Sequence, residues 1–388
     1  MRNALALGSA PGRLRRDRAS PSSAPESQPQ QSHFSRVDPK VTTSADSAPR
    51  DTRNGSHLKN ESHVQILDGG VVNGKSVEAF VPVRRALENG VRINVTDAEI
   101  AEALAPSIGR VLHSRDKDWR RLKRRLLLKW RTRRYRRLLS FWRQGTSEKE
   151  LNYKYEGKWT PTRAFKRIDV SRDQHTPIIW GDRCYLANTA GTKRVHLLYL
   201  MDLIAQLHPR SVLEVGSGTG QNLFVLSAQF PGIAFTGLEL TAAGVKTARA
   251  IASCAKLPDE LARFSPRPIR DDTAHRHVEF VEGSGSSLPF PDGSFDLVYT
   301  VLALEQMERV REDALREIAR VSAGAAAMIE PFRDWNASGI ARNRVVAKGY
   351  FSARLSDLRS LGLEPLFTDS SLPRKLDFGV GIVVARAN

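Results

Sequence analysis

The sequence predicts an α/β fold: a mostly parallel, seven-stranded sheet with helices on both faces, behind a basic helical extension. Three observations carry this. From about residue 190 onward, short strand-like runs alternate with helix-period runs. Three glycines crowd the end of the first of those strands, in "SVLEVGSGTGQNLF" (211–224). An arginine-rich amphipathic segment lies upstream, outside the alternation.

Residues 1–65 are rich in Ser, Pro, Gln, Asn and Arg, with Phe34 as their only aromatic, and cannot offset the entropy of ordering; they read as a disordered tail. The first twenty residues are Arg-rich and acid-poor, a composition that also fits an organellar transit peptide. Residues 66–145 form the helical basic extension. Within it "RINVTDAEIAEALAPSIGRVL" (92–112) reads as a helix, with Thr96 as its cap and Glu99 completing a capping box.

Next comes the segment 115–143, with 14 Lys or Arg against 2 Asp; it holds two thirds of the chain's net charge of +18. Trp119, Leu122, Leu126 and Trp130 recur at three- and four-residue spacing, and Tyr135, Leu138 and Trp142 continue the stripe. One or two amphipathic helices follow from that spacing, ending near Gly145. Residues 146–190 are aromatic-rich, with Tyr155, Trp159 and Trp180 among others, and form a cap or the first part of the domain that follows.

The α/β domain spans 191–388. A helix over 191–209 is stopped by Pro209. Strands are then expected at 211–215, 233–240, 277–283, 295–304 and 325–331, with helices at 221–230, 242–255 and 312–321 between them. A helix over 352–362 and two closing strands, 363–371 and 378–387, complete the pattern.

No run of about 18 uninterrupted apolar residues suggests a membrane span. Cys184 and Cys254 are far apart and form no metal-like cluster, which points to a reducing, cytoplasmic setting and no structural zinc.

Gly216, Gly218 and Gly220 fall where an open α/β sheet binds ligands, beyond the carboxyl ends of its strands. A dinucleotide fingerprint, G-x-G-x-x-G, needs a third glycine at 221, and that residue is Gln221. The spacing is instead E-x-G-x-G-x-G from Glu214, where a carboxylate suits a cationic ligand and would repel a pyrophosphate. This resembles motif I of the class I S-adenosylmethionine-dependent methyltransferases. Glu239, nineteen residues after Gly220, and "VEGSGSSLPFPDGSFDLVYTVLALEQM" (281–307) extend the resemblance to the branch that modifies small molecules, lipids and sugars.

The resemblance covers about residues 190–388 and implies a Rossmann-like domain with S-adenosylmethionine as cofactor. Carried over by position, Glu214, Gly216, Ser217, Gly218, Gly220, Glu239, Leu240, Ser284, Gly285 and Thr300 would hold it, with Glu239 accepting the ribose hydroxyls. Two departures stand out: Ser284 replaces the Asp that reads adenine, and Gln306 replaces a His after the fourth strand.

An oxygen acceptor needs a base. Glu305, Glu330, Asp334, His175 and His196 are the candidates, and His196 equally suits a core position within a helix. The acceptor implied is a small molecule, sugar or lipid-linked glycan; the other reading is an RNA-binding protein whose methyltransferase fold modifies RNA or serves as a scaffold. For the basic helix three roles stay open: packing on the domain, an anionic membrane, or RNA, with the interleaved Trp and Leu favouring membrane over RNA.

Overall fold

A computed structural model of the chain describes Leu87, residues 90–139 and residues 147–388. The expectations for the tail, and for Phe141, Trp142 and Gly145, lie outside the described residues.

Helix α1 (Asp97–Leu104) opens on the capping box read from the sequence: Thr96 Oγ1 accepts from the Glu99 N–H, and Glu99 accepts from the Thr96 N–H at 2.9 Å. It ends at Leu104, short of the expected 112. Pro106 falls in a 3-10 turn, Ala105–Ser107, and Ile108–Leu112 leaves the helix as strand β1.

The basic segment is one helix over its described length, α2 (Lys117–Leu139). Trp119 and Trp130, three turns apart, are 2% and 4% exposed, so the stripe that begins it is core. Trp130 Nε1 donates to Asp377 at 2.7 Å. Arg344 pairs with the same Asp377 at 2.5 Å and lies 5.4 Å from the Trp130 ring. Arg134 donates to Asn343 at 2.9 Å. Helix α2 is therefore fastened to the residues around Asp377 and Asn343, both in the domain that follows. On its outer side Leu128, Tyr135, Leu138 and Leu139 stand exposed.

Residues 147–188 form two short helices and a hairpin. They are α3 (Glu148–Glu156), α4 (Pro161–Lys166), β2 (Thr176–Trp180) and β3 (Arg183–Ala187). Ser147 and Thr160 cap the two helices through their hydroxyls. The hairpin joins β1 and a two-residue strand, β10 (Arg374–Lys375), in a small antiparallel sheet ordered β1-β3-β2-β10.

Helix α5 (Thr189–Leu207) is capped by the Asn188 side chain and is buried along most of its length. His208 closes it in a left-handed conformation, φ 46°, just before Pro209. The large sheet follows: β4 (Ser211–Val215), β5 (Ala234–Glu239), β6 (Glu279–Glu282), β7 (Phe295–Val301), β8 (Ser322–Glu330), β9 (Leu363–Asp369) and β11 (Gly381–Ala387). Its order is β6-β5-β4-β7-β8-β11-β9, parallel except for β11, which runs antiparallel to both neighbours.

Helices α6 (Gln221–Gln229), α7 (Ala242–Ala252), α8 (Asp259–Phe264) and α9 (Arg311–Val321) lie along this part of the chain. Both faces of the central strands are covered. Val212, Leu297, Tyr299 and Ala327 pack into one core cluster, while Leu213, Val298, Ala326 and Met328 pack into the other. Further elements differ from the sequence reading, among them the short helix α8. Residues 352–362 hold two 3-10 turns, Leu355–Asp357 and Arg359–Leu361, in place of a helix. A helix absent from that reading, α10 (Gly339–Lys348), is the one that presents Asn343 and Arg344 to α2. No helix among the described residues is long and apolar enough to cross a membrane.

The Trp130 contact yields a stability prediction. Trp130→Ala opens a cavity and leaves Asp377 without one donor, so it should cost about 3–5 kcal/mol in urea unfolding. An exposed helix mutant such as Leu128→Ala should cost under about 1 kcal/mol. Equal and small losses for both would mean that α2 does not pack on the domain.

Candidate active site

The strand order reverses at β4, with β5 on one side and β7 on the other, and this is where loops diverge to leave a crevice. A cavity of about 500 Å³ opens there. Its floor is the glycine loop after β4. Gly216 and Gly220 have φ of +79° and +77°, and a Cβ on them would come within 2.5 Å of Ala303 Cβ and of the Phe280 ring respectively. The space freed by the missing side chains is taken by the protein's own atoms.

The loop also spends its N–H groups internally. Gly216 and Ser217 donate to the Leu238 carbonyl, and Gly218 donates to Glu239 at 2.9 Å. A pyrophosphate cradle would need those donors free. Two buried carboxylates face the cavity instead. Glu214 is 2% exposed; one oxygen accepts from Asn222 at 2.7 Å and the other has no hydrogen-bond partner. Burial pushes its carboxyl up to about 8. Glu239 is raised by burial too, against the hydrogen bonds it accepts from Thr241 and Gly218.

The two helices before the hairpin roof this floor. Trp159 lies over Gly218, where a Cβ would stand 3.2 Å from the indole, and Tyr155 stacks on Trp159 at 5.4 Å. The roof is tied down at several points: Thr247 Oγ1 donates to the Trp159 carbonyl, Asn152 to the Leu240 carbonyl, and Gln221 to the Ala164 carbonyl. Ser284 donates to Glu148 of α3, so a carboxylate from the roof arrives beside the very position where the motif lacks its Asp.

Of the ten residues carried over by position, Glu214, Gly216, Ser217, Gly218, Glu239, Leu240 and Gly285 line the cavity. Gly220 lies at the N-terminus of α6, Ser284 contributes through Glu148, and Thr300 is fully buried within β7. Glu305 alone of the candidate bases lines the cavity. One Glu305 oxygen accepts from Gln306 at 2.7 Å; the other is buried without a partner, and burial raises the carboxyl.

Glu330 is fully buried and accepts the N–H groups of Ala303, Leu304 and Glu305, so it shapes the loop after β7. His196 is core: 3% exposed, with neither ring nitrogen bonded, and brought down to about 3 chiefly by burial. His175 is exposed and Asp334 accepts from the Leu355 N–H on the surface. Sequence reasoning missed Asn222, two residues past the glycine loop, and Glu148, Tyr155, Lys193 and Lys375, which line the same cavity from distant parts of the chain. No short motif links these four to the loop; only tertiary packing does.

Comparison with known proteins agrees with this geometry. Residues 213–328 match the family model described as a methyltransferase domain. Norajmaline N-methyltransferase of Rauvolfia serpentina is 30% identical over 121 residues, 31% of this chain and 35% of that one. Fatty-acid O-methyltransferase of Mycolicibacterium smegmatis is 32% identical over 117 residues, 30% of this chain and 35% of that one. The ubiquinone/menaquinone biosynthesis C-methyltransferase of Azotobacter vinelandii is 26% identical over 133 residues, 34% and 46% of the two chains.

The matches thus span about a third of the length of the first two relatives. Among solved structures, magnesium protoporphyrin IX methyltransferase of Synechocystis superposes with a TM-score of 0.41 at 11% identity, over 62% of this chain and 99% of that one. The chain carries a class I S-adenosylmethionine-dependent methyltransferase domain, and S-adenosylmethionine is its cofactor.

The residues present fit that cofactor. Buried acceptors without partners at Glu214, Ser217 and Glu305 surround the cavity, and polar ligand groups would satisfy them. The buried Glu214 also sets a pH dependence. Its folded pKa, about 8, lies above its ordinary value of 4.5. Its favourable share of stability is therefore full below about 4.5 and is lost as pH rises through about 8. Cofactor-free Glu214→Gln protein, compared with the parent by urea unfolding at pH 5 and pH 8, should gain relative stability at the higher pH. A difference that stays constant between the two would mean Glu214 is ionised throughout.

Proposed function

We propose that the chain transfers a methyl group from S-adenosylmethionine to an oxygen of a small-molecule, sugar or lipid-linked acceptor, with Glu305 as the base. The observation that carries this is the Glu305 carboxylate, which faces the cavity with one buried oxygen unpartnered and a raised pKa. A carboxylate so raised is a better proton acceptor near neutral pH than a solvated one. The matched relatives are N-, O- and C-methyltransferases by name, so the choice of oxygen rests on Glu305 alone.

When bound, the cofactor supplies a methyl group activated by a positive sulfur. The chain's part is to hold the partners in line and exclude water. Glu239 would accept the ribose hydroxyls with the lone pairs that Gly218 and Thr241 leave free. Glu214 would face the ammonium, whose charge favours its ionised form. Glu148, held by Ser284, would accept from the adenine amino group in place of the motif's Asp. Tyr155 and Trp159 roof the site and shield it from solvent.

A second reading concerns the outer face of α2. Leu128, Tyr135 and Leu139, 60%, 56% and 76% exposed, recur one or two turns apart, with the exposed Arg121, Arg125 and Arg131 around them. This is the opposite side from Trp130. It suits an anionic membrane, with apolar side chains in the headgroup boundary and arginines at the phosphates.

Two experiments test these readings. Isothermal titration with S-adenosylhomocysteine should give saturable binding, weakened in Glu239→Ala by about 1.5–3 kcal/mol per charge-assisted bond lost. Glu305→Gln should keep that affinity yet lower labelled methyl incorporation into extract metabolites by about 10²–10⁴-fold. Unchanged incorporation would remove Glu305 as base, and absence of binding would remove the enzyme reading. For the helix, co-sedimentation with phosphatidylglycerol vesicles should exceed that with neutral phosphatidylcholine vesicles and fall with salt. Leu128→Ser/Leu139→Ser should weaken it, each leucine contributing up to about 1.5–3 kcal/mol if fully buried. Equal sedimentation with both lipids, or none, would defeat it.

A further inference from the structure

The cavity has a second electrostatic character. At its glycine-loop end the charged groups are acids, Glu214 and Glu239. Further round the wall, Lys193 of α5 and Lys375 of β10 converge from elements far apart in sequence, with Arg167 just past α4. Both lysines are half-buried, and neither forms an ion pair among the described residues. The polar contact that the Lys193 ammonium makes is the Arg167 carbonyl, at 3.3 Å. Arg167 itself lies over the Trp159 ring at 4.6 Å, which fixes its guanidinium beside the roof.

Two half-buried lysines on one cavity wall, neither in a direct ion pair among the described residues, repel one another and lose hydration; a protein normally pairs such cations. We propose that Lys193 and Lys375, with Arg167 beside them, form an anion subsite that binds a carboxylate or phosphate group of the methyl acceptor. This rests on the reading of the cavity as a methyl-transfer site and assigns the acceptor a chemical class: an anionic small molecule. Glu305 is a further charged group of the cavity wall. It lines the same cavity as Lys193 and Lys375, so an acceptor held by the lysines would share that space with the base. Burial, then the charges of Arg167 and Lys375, bring the Lys193 ammonium down to about 7, and an anion in the subsite would restore its charged form.

The test uses the full chain loaded with S-adenosylhomocysteine, with inorganic pyrophosphate and citrate as the probe anions. One or both should bind saturably by titration calorimetry. Lys193→Met and Lys375→Met should each weaken that binding at least tenfold, while Lys193→Arg keeps most of it. S-Adenosylhomocysteine affinity should stay within twofold in all three. If neither anion binds the parent, or the Met variants bind it as tightly, the subsite does not exist and the methyl-transfer reading is untouched. If the Met variants lose S-adenosylhomocysteine instead, the cations hold the cofactor's own carboxylate and the acceptor assignment falls. Should Lys193→Met melt early, Lys375→Met on β10 decides alone.

Discussion

The site depends on the Glu239 carboxylate at the end of β5. One oxygen takes the Gly218 N–H and the other takes the Thr241 hydroxyl and N–H, while the neighbouring Leu238 carbonyl takes Gly216 and Ser217. These bonds tie the glycine loop, the strand end and the first turn of α7 into one rigid corner. Holding a buried carboxylate this way is costly unless each partner is in place, since desolvation raises its energy and only the donors recover it. The loop's left-handed glycines follow from the same corner: no residue with a Cβ could turn there and still leave room for Ala303 and Phe280.

Over that corner the chain lays its own roof. The segment 147–188 contributes few hydrogen bonds to the floor, and several of them are single side chain to carbonyl contacts, at Asn152, Gln221 and Thr247. Tyr155 and Trp159 add stacked aromatic rings over Gly218. The later part of the segment belongs to the main core, where Ile168, Ile178, Trp180, Tyr185 and Ala187 pack in the same cluster as residues of α5 and α6. The small sheet holds it as well, since β3 pairs with β1 and β2 with β10. Lys375 belongs to that sheet, so the same hairpin that anchors the roof also places a cation in the cavity wall.

The basic helix divides its labour by face. Trp119 and Trp130 are interior, and Asp377 and Arg344 complete an aromatic and ionic joint around Trp130. The opposite face carries the arginines together with exposed leucines and Tyr135. One helix thus has two apolar stripes, the second of which burial among the described residues does not explain.

The strand and helix alternation, the left-handed glycine positions and both strand-end acids, Glu214 and Glu239, were legible in the sequence by itself. Local rules govern them: period, turn chemistry, and the need of a buried cation site for a carboxylate. The capping box at Thr96 was legible for the same reason. Tertiary structure alone decided which of five possible bases faces the cavity, because Glu305, Glu330, Asp334, His175 and His196 differ in surroundings, not in pattern. It decided that Glu148 stands beside Ser284, across 136 residues, and that Lys193 and Lys375 share a wall. It also decided which stripe of α2 is core, since period reveals that a face is apolar but not what covers it. Non-local packing leaves no spacing in the chain from which to read it.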